Sequence, residues 1–493
     1  MNKKDILIFM SDQHTPLYTS MFNDAVKTPN MTRLCRQGVN FTEAYTACPL
    51  CVPARASMLT ALRPGRTGIF TLEDAIADTT PTFLHNLVEA GYETVLCGRM
   101  HFVGKDQRHG FTKRIGQDMT PVTWSRPVEK LKKERGVFAR TFAGTWATQV
   151  IGGGESPVLH YDEEIINLAL DYLSQDHEKP QCIVVSIYAP HFPYVASKEL
   201  FQKYYDRVEI SKAFYMEETH PLLKKYSQQE TDEVTARGAL AAYFGMIEKV
   251  DAYLGRIWEA FATSCSRRKT EGIICYTSDH GDQCGDRKIF GKETFYEKSV
   301  KIPLIFSGSG IKEKITCDTP VSIMDIGPTL LDLAGADGML DVDGVSLVNA
   351  LEGKELSPHD VYSEFLERTD GGPTHGIRKN AEYSYGLMLR KDDYKYVTYT
   401  GYEQYDFLFD IKKDPEEVNN LADTEADIVS SMRDMASKLS LAGQAIRLQK
   451  NHDRAAELFV AMEKALGGVD ESERWNRNPP SARKNPDICV KGL

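Results

Sequence analysis

The sequence predicts an α/β fold with a large, mostly parallel central sheet flanked by helices, followed by a smaller C-terminal α+β subdomain. Three observations predict it. Apolar runs of strand length recur at residues 6–10, 93–97, 181–188 and 272–276, each too continuously apolar for a strand with one wet face. Helical patterns alternate with these runs, the arrangement that covers a parallel sheet on both faces. From about residue 370 the alternation gives way to period-two patterns at 385–390 and 394–399, as in antiparallel strands. The expected division is 1–370 for the main α/β domain and 371–493 for a subdomain with a small antiparallel sheet, helices and a polar tail.

Composition narrows the function before any motif does. The 493 residues carry a formal charge of −11, which argues against a nucleic-acid binder. No apolar run approaches bilayer length, and the first residues lead straight into strand one without the apolar core of a signal peptide. Ten scattered cysteines then suit a reducing compartment, so the expectation is a cytoplasmic protein with no membrane partner. Cys48 and Cys51 form a C-x-x-C pair open to a redox or half-zinc reading, but no second pair or nearby His pair completes a zinc set.

The chemistry gathers where apolar runs end. The first strand ends in Asp12, Gln13 and His14; a carboxylate there suits a ligand site, although an Asp after a strand is more often a turn or cap. Residues 28–34 read as a short helix stopped by Gly38, and 38–45 as a strand leading to Cys51. Pro53 suits the first turn of a helix continued by good formers through Leu62, so Cys51 falls at a helix N-terminus with Arg55 one turn on, on the same face. A helix at 80–91 stops at Gly91 and packs with His85. The strand at 93–97 leads to Arg99 and His101, whose side chains share a face if the strand end stays extended. Residues 112–154 read as an insertion at the rim, with a solvated basic helix near 129–135. The strand at 181–188 leads to His191, set between Pro190 and Pro193. A long helix at about 229–261 precedes the strand at 272–276, which ends in Asp279, His280, Gly281 and Asp282, followed by Lys292. Residues 325–335 and 343–347 are assigned to scaffold. Helices are expected at 425–441 and 452–466, and a Pro-containing tail from Trp475 either stays loose or packs on a neighbouring subunit, so a dimer or tetramer is compatible with it.

The run Cys51-x-Pro53-x-Arg55 followed by Ser57, Met58, Leu59 and Thr60 resembles the signature of the type I sulfatases of the alkaline phosphatase superfamily. The stretch from Gly98 to Phe111 resembles the choline-sulfatase-like members in particular, the segment from Leu408 to Asn419 resembles the family's C-terminal signature, and the chain as a whole is similar in flavour to choline-sulfatase-like and arylsulfatase members. The resemblance implies a hydrolase of sulfuric esters whose cysteine, here Cys51, is converted after translation to formylglycine by a formylglycine-generating or radical maturation enzyme. It further implies one divalent metal ion bound by Asp12, Gln13, Asp279, His280 and the modified Cys51. Calcium is the family's expectation; the His280 imidazole leaves magnesium, manganese or zinc open. Arg55, Arg99, His101, His191 and Lys292 are the implied catalytic contacts, with His191 or Lys292 as proton donor to the leaving alcohol and His101 as candidate base. Three positions depart from the family: Gln13 stands where a second Asp is usual, Arg99 where Lys is usual, and Ala54 where Ser is usual. The implied substrate is a small sulfated molecule, aryl, choline-like or carbohydrate. A phosphonate monoester or phosphodiester hydrolase of the same superfamily is the alternative, and a non-catalytic binder of a sulfated ligand the remote one.

Overall fold

The computed structural model describes residues 3–120, 122–124, 147–370, 380–467, 474–475 and 486–491. Its central sheet has eight strands, in spatial order Ile315–Cys317, Gly38–Phe41, Leu304–Gly308, Gly272–Ser278, Asp5–Asp12, Gln181–Pro190, Glu93–Gly98 and Lys113–Ile115. Leu304–Gly308 runs against both its neighbours; the other pairings are parallel. The strand Asp5–Asp12 lies between two long parallel partners and is buried throughout. Its side chains alternate: Ile6, Ile8 and Met10 enter one core, Leu7 and Phe9 the other.

The first core is closed by the helices Cys51–Thr60, Phe83–Glu89 and Ile326–Ala334, the second by Pro29–Arg36, Pro157–Ser174 and Glu233–Arg268. Helix bounds differ from expectation for identifiable reasons. The long helix spans Glu233–Arg268 because Asp232 caps it, accepting from the Thr235 N–H at 2.8 Å, and Lys269 ends it at φ +56°. Gly38 opens a strand and does not stop the preceding helix; a Cβ there would lie 2.0 Å from the Phe306 carbonyl oxygen, so the glycine serves a close strand approach. His85 does not simply pack: its Nδ1 accepts from the Thr82 N–H at 3.0 Å in a capping box.

A four-stranded antiparallel sheet follows, Val361–Arg368, Tyr383–Lys391, Tyr394–Tyr399 and Phe407–Asp410, so its first strand lies on the N-terminal side of the expected 370/371 boundary. Phe365, Val397, Phe407 and Phe409 pack against Tyr45, Leu50, Phe295 and Tyr296 of the main domain. The helix Ala442–Leu466 begins well before residue 452. Its inward face carries Gln449 and Asp453, which bond each other at 3.0 Å while Asp453 accepts from the Tyr383 hydroxyl at 2.6 Å; a polar inward stripe hides a helix from hydrophobic periodicity.

The described parts of the tail rest on their own chain. Asp118 N–H donates to the Trp475 carbonyl at 2.8 Å, the Arg114 guanidinium lies 4.8 Å from the Trp475 ring centre, and Ile488–Lys491 pairs with Ile151–Gly153. The basic stretch 129–135 lies outside the described residues. Cys48 and Cys51 are both buried free thiols, which leaves the redox-pair reading without a disulfide. Among the described residues no helix is long and apolar enough to cross a membrane.

Candidate active site

Strand register builds the site. Asp12 pairs with Pro190 and Ser11 with Ser278, so the C-terminal ends of three parallel strands deliver Asp12, Asp279 and the His191 loop to one edge of the sheet. The chain leaves these strands by sharp turns, with left-handed backbone at Gln13 (φ +64°) and His101 (φ +59°) and, beside Lys292, at Glu293 (φ +75°). Non-glycine residues in this region concentrate at functional sites, where the surrounding structure imposes the conformation. The helix Cys51–Thr60 starts at the same edge.

The structure brings together the candidate residues Asp12, Gln13, Cys51, Arg55, Arg99, His101, His191, Asp279, His280 and Lys292, while His85 lies apart in its helix cap. Cys51 Sγ lies 3.2 Å from His280 Nε2, 3.1 Å from Lys292 Nζ and 3.9 Å from Asp12 Oδ1. Arg55 is wholly buried and ties two carboxylates together: its Nε donates to Asp279 Oδ2 and its Nη2 to Asp12 Oδ2, each at 2.9 Å, and its Nη1 to Ser186 Oγ at 3.0 Å. Arg99 donates from Nε to Asp12 Oδ2 at 2.6 Å and from Nη2 to His101 Nδ1 at 2.9 Å, with its guanidinium 4.5 Å from the Tyr188 ring centre. Arg99 and His101 do meet, but through the left-handed turn at His101 and not along an extended strand end.

Lys292 Nζ donates to Gln13 Oε1 and to His191 Nε2, both at 2.9 Å, while His191 Nδ1 donates to the Phe192 carbonyl at 2.7 Å. Burial, and then the Lys292 ammonium, push His191 well below the usual imidazole range. Burial would raise the Asp12 carboxyl, but Arg99, His191, Arg55 and Lys292 hold it well below the usual carboxylate range. Burial, followed by Asp12, pushes the Cys51 thiol up to about 11.

One carboxylate oxygen from each of Asp12 and Asp279, the Cys51 sulfur and a His280 ring nitrogen all lie within 4.8 Å of one another. His280 donates from Nδ1 to the Gly281 carbonyl at 3.0 Å, which leaves the Nε2 lone pair toward the cluster, and burial lowers its pKa to about 4. A neutral imidazole and two anionic oxygens fit one divalent cation. Gln13 Oε1 accepts from Lys292 Nζ at 2.9 Å, and that same ammonium lies 3.1 Å from Cys51 Sγ.

Two buried carboxylates supporting the site escaped the sequence reading. Asp118 accepts the N–H of His101 at 2.8 Å and of Met100 at 3.3 Å, holding the His101 turn. Asp282 accepts from Gln13 Nε2 at 2.5 Å and Tyr194 Oη at 2.8 Å; burial raises its carboxyl. Asp282 stood within a recognisable string, whereas nothing local to Asp118 marks it.

A thiol at a helix start, beside buried guanidinium groups and a cluster of two carboxylates and an imidazole at the strand ends, suits this α/β fold to the metal-assisted hydrolysis of an anionic ester. Comparison with known proteins narrows the class. The sulfatase family profile matches residues 4–336, and the profile for the C-terminal region of N-sulphoglucosamine sulphohydrolase matches residues 285–442. The chain is 32% identical to choline-sulfatase of Rhizobium meliloti (strain 1021) over 446 residues, 85% of this chain and 83% of that one. It is 28% identical to arylsulfatase K of Mus musculus over 439 residues, 83% of this chain and 74% of that one. Phosphonate monoester hydrolase of Agrobacterium radiobacter shares the fold with a TM-score of 0.71 at 23% identity, over 91% of this chain and 96% of that one. The chain belongs to the sulfatase family and is a hydrolase acting on sulfuric ester bonds.

Proposed function

We propose that this sulfatase cleaves a sulfate monoester of a small alcohol through a formylglycine made from Cys51, with one divalent cation held by Asp12, Gln13, Asp279, His280 and the modified Cys51. The supporting observation is the position of Cys51 Sγ, within 3.2 Å of both His280 Nε2 and Lys292 Nζ and next to Asp12. Conversion requires a maturation enzyme acting on the stretch around Cys51. The hydrated aldehyde would supply the attacking hydroxyl, and the cation would supply charge neutralisation at the reacting oxygens. Calcium is the family's cation; the imidazole of His280 also suits magnesium, manganese or zinc.

The chain's own residues orient and move protons. Arg55 spans Asp12 and Asp279 through one oxygen of each, fixing both carboxylates at the cation site. Arg99 donates to His101 Nδ1, so a neutral His101 ring carries its proton on Nε2 and is set to donate; a base role at Nδ1 requires Arg99 to let go. Lys292 holds a proton between Cys51 and His191, and His191 accepts from it. We therefore assign the proton for the departing alcohol to Lys292, with His191 as its positioning acceptor.

Choline, aryl and carbohydrate sulfates are the candidate substrates, following the named activities of the relatives. The test is turnover on an aryl sulfate against an aryl phosphonate monoester, before and after removal of divalent cations by a chelator. The expected result is a preference for the sulfate, lost with the cation and restored by adding it back. Faster phosphonate cleavage would move the protein to the phosphonate hydrolases, and tight binding of a sulfate ester without turnover would make it a binder.

A further inference from the structure

We propose that Asp282 is a positioning residue that fixes the amide of Gln13 with its oxygen toward the cation site. The proposal rests on the reading of Gln13 as a ligand. Asp282 is fully buried just behind Asp279 and His280 and receives four donors. Gln13 Nε2 and Tyr194 Oη reach Oδ2 at 2.5 and 2.8 Å, and the backbone N–H groups of Cys284 and Gly291 reach Oδ1 at 2.8 and 3.1 Å.

An amide side chain has one donating end and one accepting end, and only the oxygen can bind a cation. A carboxylate that accepts on both oxygens can take only the donating end. Gln13 Oε1 is thereby turned the other way, where it accepts from Lys292 Nζ at 2.9 Å. Asp282 also holds the N–H of Gly291, the residue before Lys292. Both sides of the contact between Gln13 and Lys292 therefore hang from one buried group.

The pair is matched in charge as well as in shape. A carboxylate at position 13 would meet the Asp282 carboxylate at the 2.5 Å now spanned by a hydrogen bond, an unfavourable like-charge contact. The substitution Asp282→Asn poses the converse conflict. Its oxygen must face the backbone N–H groups of Cys284 and Gly291, so its amino group faces Gln13. Gln13 then has to turn its own oxygen inward and present an N–H to the cation.

The experiment is calorimetric titration of the chelator-treated full-length chain with Ca2+ and with Mn2+, with a thermal melt of each variant. Asp282→Asn is expected to weaken cation binding by about ten- to hundredfold, and Gln13→Glu to weaken it as well. The double variant Gln13→Glu/Asp282→Asn, in which the new amide donates to the new carboxylate, is expected to recover binding to within about threefold of the parent, inside the spread of contact energies. Parental affinity in Asp282→Asn, or a folded double variant that binds no better than either single one, would overturn the proposal. If Asp282→Asn does not fold, comparison of Gln13→Glu with the double variant decides by the same criterion, and a double variant that also fails to fold counts against the pairing. Unchanged affinity in Gln13→Ala would instead overturn the ligand reading on which the proposal rests.

Discussion

Two clusters of buried charge sit a short distance apart along the chain and are built differently. Between the main domain and the C-terminal sheet, Lys395 meets Glu297 Oε1 at 2.9 Å, Glu417 and the Phe295 carbonyl at 2.8 Å. Lys301 meets Glu43 at 2.6 Å and Glu297 at 3.5 Å, and Arg390 donates to the Tyr45 hydroxyl at 2.9 Å. Burial would raise Glu297, but Lys395, Lys301 and Arg390 hold it at about 2. Each cation there has an anionic or carbonyl partner. At the strand ends, by contrast, Lys292 contacts an amide oxygen, a neutral imidazole and a thiol, and among the described residues no carboxylate pairs with it. In the first cluster every cation is matched; in the second Arg55 and Arg99 are matched by Asp12 and Asp279, and Lys292 alone is left with neutral partners, the group to which the proposed proton transfer is assigned.

Breaking each cluster should therefore be felt in a different measurement. Lys292→Ala is expected to lower turnover by about 10²- to 10⁴-fold while leaving the melting temperature unchanged or slightly raised, because no buried carboxylate loses its partner. A loss smaller than tenfold would take the proton away from Lys292. Lys395→Met leaves Glu297 and Glu417 facing each other without their shared cation, and unfolding by denaturant should show a loss of about 3–5 kcal/mol. Turnover per folded molecule should stay near that of the parent; a matching fall in turnover would show that the interface feeds the site.

A smaller effect sharpens the contrast through pH. His220 packs among Tyr399, Tyr405 and Phe407 at the same interface, and burial lowers its pKa from 6.5 to about 4. The folded state favours the neutral ring. Its contribution is present in full above the unfolded value of 6.5 and is lost as pH falls through that value toward 4. The melting temperature should drop over this window, and His220→Phe should drop less.

Sequence alone carried the main sheet because its strands are buried on both faces and read as unbroken apolar runs. It also marked out Asp12, Asp279 and His280, which the fold brings to one place, because they follow directly where such runs stop. What it missed depends on contacts between distant parts of the chain. Asp118 acts through hydrogen bonds to backbone groups, which leave no spacing to read, and Asp282, although it stood in the string after Asp279 and His280, acts through bonds to Gln13, Tyr194 and the backbone that only the fold brings together. The turn at His101 is imposed by Asp118 and has no glycine to announce it. The start of the helix Ala442–Leu466 was hidden because Gln449 and Asp453 face inward, and the docking of Trp475 against Arg114 joins residues with no shared pattern. Arg55 was found by its place one helical turn after Cys51, yet its task of tying Asp12 to Asp279 needed the fold.

The central claim is that Cys51 is the precursor of the nucleophile. It is tested most directly by the mass of the peptide spanning Cys51, from protein made alongside a maturation enzyme, read together with turnover of an aryl sulfate. The account predicts a peptide about 18 Da lighter than the cysteine form, with turnover rising in proportion to the converted fraction. Full turnover from protein in which Cys51 remains a thiol would contradict it.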